Sequence, residues 1–139
     1  MSFAMSRGAI GVILLLVSIV CNGGSLPQAG ETKEKSCRTH PQLIGRCFTV
    51  RGRLSTYNGA PALRIWRVGT RRMLGISEQR FSVAGYRNVP ADIESKIDQD
   101  VSIFGDFLVC PFTASRPGEM QLVCIESGKN LVVRKRSRG

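Results

Sequence analysis

The chain has 139 residues, five cysteines and a formal net charge of +10. This length allows one ordinary domain with one modest core and excludes a second domain. The sequence contains no nucleophile elbow, P-loop, zinc-protease or dinucleotide motif, which argues against catalysis and against a bound cofactor.

The amino terminus has the pattern of an export signal over residues 1–25. Arg7 is followed by a largely apolar stretch, residues 9–20, and then by small, polar residues. The stretch is shorter than the roughly 20 apolar residues that a membrane-spanning helix needs, so we expect cleavage and a periplasmic or secreted protein. Membrane contact would follow only from an uncleaved signal or from lipidation of Cys21, and Val20 is large for the position before a lipidated cysteine.

The rest of the chain divides into a charged linker over residues 26–36, a domain over residues 37–133 and a basic tail over residues 134–139. Within the domain, alternating apolar and polar residues between turn residues predict strands. These strands are residues 47–54, 63–68, 73–76, 101–109 and 120–125. Residues 131–133 form a last apolar stretch that either pairs on an edge or leads into the tail. Pro90 opens a short helix between the third and fourth strands, with Ile93 and Ile97 on one face.

Five strands with one short helix between the third and fourth predict a mainly β fold. The expected architecture is an antiparallel barrel of the oligonucleotide/oligosaccharide-binding (OB) type. Gly52 and Gly105 lie inside strands and suit the sharp bends of a small barrel. The alternative is an open antiparallel sheet with one helix packed on it.

Four cysteines remain after the signal is removed, and an even number in an exported chain indicates two disulfides. Proximity along the chain favours Cys37 with Cys47 and Cys110 with Cys124, although three pairings are possible. A link between Cys110 and Cys124 would contribute about 3 kcal/mol by restricting the unfolded chain. A zinc site is the weaker alternative, because no Cys-x-x-Cys pair exists and His40 has no neighbouring ligand at zinc spacing. We therefore expect no metal.

The positive charge is unevenly distributed. Residues 38–87 contain ten arginines and one acid, whereas residues 92–126 contain seven acids and two basic residues. A basic surface of this kind attracts nucleic acid, lipopolysaccharide or anionic glycans, or an acidic protein of the cell envelope. The alternative is that the charge serves solubility alone.

A hairpin between the first two strands concentrates arginine around the only tryptophan. A two-residue turn at 58–59 would place Arg51 opposite Trp66 and Arg53 opposite Arg64, and a longer loop would change the partners but keep the faces. Like charges directly opposite are destabilising, so this arrangement favours a bound anion. An arginine over Trp66 would also form a cation–π stack that suits a ligand with phosphates and flat rings.

The candidate ligand-binding residues are those on this outer face and in the adjoining loops: Arg51, Arg53, Tyr57, Arg64, Trp66, Arg71, Arg72 and Arg116. The competing explanation is structural, with Trp66 partly buried and the arginines paired within the molecule. Their partners would then be Asp98, Asp100 or Asp106.

Three segments resemble a group of small exported proteins of proteobacteria. They are residues 46–54, residues 63–72, and residues 105–111 with residues 123–127, and the resemblance extends over most of the domain. It implies a location in the envelope of a Gram-negative cell, and it implies no catalytic residue.

These features predict an exported, disulfide-linked binding module with a basic face for an anionic ligand. An adaptor or structural protein of the envelope is the alternative. A hydrolase or redox enzyme is a third and weaker hypothesis, which free thiols in the mature protein would favour.

Overall fold

The structure is a computed structural model that describes residues 24 and 33–137. The predicted export signal, except Gly24, and Cys21 lie outside the described residues, as do the last two residues of the tail. The elements are a 3₁₀ turn over Cys37–Thr39, β1 (Phe48–Thr56), β2 (Leu63–Arg67), β3 (Met73–Ile76), α1 (Ala91–Glu94), β4 (Val101–Pro111) and β5 (Gln121–Lys135). Among the described residues, no helix has the length and apolar character needed to cross a membrane.

The five strands form one sheet that closes into a ring in the order β1-β2-β3-β5-β4. The predicted mainly β fold, with five strands and one short helix between β3 and β4, is confirmed. The expectation that every pair is antiparallel is wrong, because β3 and β5 run parallel. Parallel neighbours require a crossover, and here α1 and β4 lie between the two strands in the chain.

The core fills the inside of this ring. Along β1, Val50, Gly52 and Leu54 are buried, and the alternating positions Thr49 and Arg51 are exposed. The buried core consists of apolar residues from all five strands and the helix: Val50, Leu54, Leu63, Ile65, Leu74, Ile76, Ile93, Ile103, Phe107, Val109, Val123 and Ile125. This alternation directs the polar side chains of β1 and β2 outward, where the candidate site lies.

The last strand is longer than the sequence predicts. β5 continues without a break through Leu131 to Lys135 and pairs with β4 along most of its length. Asn130 has a φ of 53°, and the register with β4 shifts between Phe104 and Asp106. An extra residue in one strand is a bulge, which bends the strand without ending it. The first two residues of the predicted tail therefore belong to the sheet.

The disulfides link Cys37 to Cys124 and Cys47 to Cys110, so the favoured pairing was wrong. Proximity along the chain misled because ring closure brings the start of β1 beside the end of β4. Cys47 lies one position beyond the pairing of Phe48 with Val109 and so reaches Cys110 directly. Two disulfides in one small domain indicate an oxidising, extracytoplasmic compartment.

The segment before the first disulfide, from Glu34 to Lys35, contacts the rest of the domain. Lys35 forms a parallel bridge with Tyr86, and its backbone N–H donates to the carbonyl of Gly85 at 2.7 Å. Glu34 forms an ion pair with Arg87. The end of the predicted linker is thus held against the segment that precedes α1.

Candidate functional site

The loop between β1 and β2 sets which outer side chains meet. Tyr57 donates its backbone N–H to the carbonyl of Ala62 at 2.8 Å, so the loop is longer than two residues. The register shifts accordingly, and Arg53 faces Trp66 while Arg64 faces Ser55. The predicted opposition of two arginines is therefore wrong, although the outward faces of the strands are as expected.

Arg53 stacks on the only tryptophan. Its guanidinium carbon lies 5.1 Å from the centre of the Trp66 rings. Its Nη2 donates to the Tyr57 hydroxyl at 3.2 Å, and its Nε is buried without a hydrogen-bond partner among the described residues. The indole N–H of Trp66 donates to the carbonyl of Thr70 at 2.7 Å, which holds the ring in place. The cation and the ring are thus positioned before any ligand arrives.

Two further arginines flank Tyr57. The guanidinium carbons of Arg64 and Arg136 lie 5.3 and 5.5 Å from the Tyr57 ring centre. Arg64 donates to the carbonyl of Pro61 at 2.8 Å, and Arg136 donates to the carbonyl of Thr56 at 2.7 Å. Cation–π contacts in partly desolvated positions are worth about 1–2 kcal/mol each. Backbone carbonyls and aromatic rings therefore hold both arginines.

We call this cluster the arginine–aromatic face, and its members are Arg53, Tyr57, Arg64, Trp66 and Arg136. All five residues are half-buried. Sequence reasoning missed Arg136, which it placed in the tail. The one sequence signal for the position of Arg136 was the apolar stretch at residues 131–133, because a strand there brings residue 136 back beside Tyr57.

The arginine–aromatic face contains three cations, and none of them has an ion pair in the described part of the chain. The ion pairs there join Arg51 to Asp106, Arg87 to Glu34 and Glu94, and Arg116 to Glu119. The structural explanation thus holds for Arg51, whose Nη1 lies 3.4 Å from the Asp106 carboxylate. Acidic residues lie near the Arg136 end of the face, because Arg136 also donates to the carbonyl of Gln99, between Asp98 and Asp100.

The remaining candidate arginines form a separate group. Arg71 and Arg72 line a shallow cavity of about 240 Å³ between the β2–β3 turn and the β4–β5 loop. Arg72 Nη1 donates to the Ser115 hydroxyl at 2.6 Å, and Arg116 Nη1 lies 4.0 Å from the Glu119 carboxylate. These contacts connect the group to the β4–β5 loop and not to the arginine–aromatic face.

His40 is built into a second, smaller core. It is 4% exposed, and its ring lies edge-on to Tyr86 and Phe112 with centroids 4.9 and 4.8 Å away. Nε2 is 3.1 Å from the carbonyl of Phe81, and Nδ1 accepts the backbone N–H of Gln42 at 3.2 Å. Both ring nitrogens are thus engaged with the backbone, which leaves neither in position to accept a proton from a substrate.

The cysteines form the one group of potential metal ligands in the described region. The sulfur atoms of Cys37, Cys110 and Cys124 lie within 4.8 Å of one another, and all three belong to disulfides. A metal binds thiolates, so these sulfurs are not available as ligands while the disulfides are intact.

Comparison of the chain with protein-family models, with curated proteins and with solved structures found no match. The resemblance to small exported proteins of proteobacteria therefore stays a prediction.

Proposed function

We propose that this protein is an exported binding module whose arginine–aromatic face holds an anionic ligand with flat rings or sugar faces. The observation that supports this most strongly is the stack of Arg53 on Trp66 beside a second cluster of two arginines on Tyr57. The three guanidiniums have no ion pair with any described residue, which leaves positive charge that a ligand can neutralise.

The fold proposed for this module is an OB-type barrel. The strand order, the parallel β3–β5 pair and the helix between β3 and β4 support this assignment. Barrels of this type use the outer surface of strands 2–3 and the loops after strands 1 and 4 to bind oligonucleotides and oligosaccharides. Tyr57 and Trp66 lie in that region, in the first loop and on β2. Fold alone does not define function, so we infer the ligand from the side chains of the face.

The geometry of the face favours phosphate or carboxylate groups combined with planar or ring-shaped groups. A guanidinium presents a planar fork of donors that matches such oxyanions in a bidentate manner. Because aromatic rings already hold both arginines, together with the Tyr57 hydroxyl for Arg53 and the Pro61 carbonyl for Arg64, little side-chain entropy is lost on binding. Trp66, whose rings contact one guanidinium where the Tyr57 ring contacts two, offers aromatic surface on which a base or a sugar can stack.

The test is a salt-dependent binding panel on the oxidised protein against single-stranded DNA, lipopolysaccharide and an anionic glycan. Three variants accompany the wild type: Arg53→Glu, Trp66→Ala and the charge-matched control Arg46→Glu. Arg46 is exposed and precedes Arg53 by seven residues, roughly 20 Å along the strand direction.

We expect one ligand to bind more tightly than the others and both site variants to weaken that binding roughly tenfold to a hundredfold. This range corresponds to the loss of about 1.5–3 kcal/mol for a charge-assisted hydrogen bond or of about 1–3 kcal/mol for a stacked base. The control should change affinity less than threefold. Equal, weak binding to all three ligands that disappears at physiological salt would overturn the proposal, as would equal losses in the site variants and the control.

A further inference from the structure

The second half of β5 has a paired neighbour on only one side. β4 pairs with β5 as far as Lys135, whereas β3 pairs only with residues 121–123. On the β3 side, the last backbone contact is the N–H of Ile125, which donates to the carbonyl of Asn88 at 2.8 Å. Within the described part of the chain, residues 131–135 have no backbone hydrogen bond to any element except β4. We call residues 131–135 the β5 edge.

The β5 edge exposes apolar side chains that a strand covered by another element would bury. Val132 and Val133 are 47% and 49% exposed. Consecutive residues of a strand point to opposite faces, so a strand with one covered face would bury one of the two. Leu131 packs against the core, but the exposure of Val132 and Val133 means that from residue 132 onward neither face of the strand is fully covered. A free strand edge that exposes apolar side chains is a template for another strand.

The charges around the β5 edge select the kind of strand that fits. The charged residues from Ser127 to Lys135 are Lys129, Arg134 and Lys135, without a carboxylate among them. Two copies of this edge would bring these positive side chains together, and lysines on an edge are a known means of preventing self-pairing. An acidic strand would instead be attracted.

We propose that the β5 edge binds an extended, acidic segment of a partner protein by strand addition. Backbone hydrogen bonds would provide the general affinity, and the side chains the selectivity. β-Branched residues of the segment would cover Val132 and Val133, while its carboxylates would meet Arg134 and Lys135. This surface adjoins the arginine–aromatic face at Arg136 but consists of other residues, and the inference does not depend on the proposed function.

The probes are two labelled nine-residue peptides. One is centred on Glu-Glu-Val-Val-Thr and tests antiparallel addition, and the other is centred on the reverse sequence and tests parallel addition. A third peptide has the sequence of the tighter binder with alternate backbone amides methylated on the side that would face β5. The measurements are fluorescence anisotropy and amide hydrogen exchange on the full oxidised protein. The variants are Arg134→Glu combined with Lys135→Glu, the control Lys96→Glu, and Arg53→Gln on the arginine–aromatic face.

We expect one of the two peptides to bind and to slow exchange of the amides of residues 131–135. Methylation of the peptide and the double charge reversal should each weaken binding at least tenfold, while Lys96→Glu and Arg53→Gln should stay within threefold of the wild type. Three results would overturn the proposal: no binding of either peptide, protection confined to residues 53–66, or dimerisation of the protein alone with protection of residues 131–135.

Discussion

Gly52 shows at the level of one residue how closely the ring packs. A Cβ at this position would lie 2.3 Å from Cγ2 of Ile65, on the neighbouring strand β2. Gly52 also faces Gly105 across β1 and β4, so two strand residues without side chains lie side by side. The sequence predicted bends at both glycines, and the contact at Gly52 adds a steric reason for the absence of a side chain.

We expect Gly52→Ala to lower the free energy of unfolding by about 1–3 kcal/mol, the usual cost of overpacking a core. Urea denaturation of the oxidised protein measures this change. Gly45→Ala is the matched control, because its Cβ would contact Pro111 at an ordinary 3.4 Å. Equal midpoints for the two variants would show that β2 can shift to accept the methyl group.

The candidate site shows what sequence reasoning can and cannot reach at this scale. Alternation along β1 and β2 placed Arg53 and Trp66 on the outer surface, because the period of a strand is a local property. Their partners depended on the number of residues in the loop, and six residues lie between β1 and β2 where the turn signal suggested two. The contact of Arg136 with this site could not be predicted, because the position of Arg136 depends on how far β5 continues.

At the level of elements, the two disulfides attach the amino-terminal segment and β1 to the β4–β5 pair. Cys37 lies in the 3₁₀ turn and Cys124 in β5, 87 residues apart, while Cys47 and Cys110 are 63 residues apart. Each link therefore closes a long loop in the unfolded chain and restricts it strongly.

Replacing Cys37 and Cys124 together by alanine should reduce the free energy of unfolding by about 2–4 kcal/mol. The same replacement of Cys47 and Cys110 should cost nearly as much, because loop-closure entropy grows only with the logarithm of loop length. Guanidinium denaturation of both double variants and of the oxidised wild type checks this. A loss below about 0.5 kcal/mol, as at an ordinary surface site, would show that the link does not stabilise the fold.

The elements themselves were predicted unevenly. The third predicted strand, residues 73–76, matches β3, because turn residues precede it and its apolar residues are uninterrupted. The second half of β5 was left open because Ser127, Gly128 and Asn130 have the composition of a turn. Pairing with β4 overrides that local preference, which is a tertiary effect that no short window of sequence contains.

At the level of the whole molecule, the sequence predicted part of the sheet topology. The number of strands, the position of the helix and the closure of the sheet followed from the succession of predicted elements, but the parallel β3–β5 pair did not. That pair connects segments distant in the chain, and alternation within a strand carries no information about its neighbour.

For single-stranded DNA, we expect a plot of log affinity against log salt concentration to have a slope of roughly −2. This value follows from three phosphate contacts, through Arg53, Arg64 and Arg136, at about 0.7 per contact. Arg53→Gln should make the slope shallower by about 0.7, while Arg46→Gln should leave it unchanged. Equal slopes for the wild type and Arg53→Gln would mean that Arg53 does not contact phosphate.

Cys110 and Cys124 face each other across β4 and β5, yet each is bonded to a cysteine from the amino-terminal third of the domain. In the unfolded chain, the short separations of Cys37 from Cys47 and of Cys110 from Cys124 let these thiols meet more readily than thiols 63 or 87 residues apart. The two pairs that meet most readily are therefore pairs that the native protein lacks. A chain that first forms either of these pairs reaches the native pairing only by thiol–disulfide exchange, so we expect a disulfide isomerase to raise the yield of native protein.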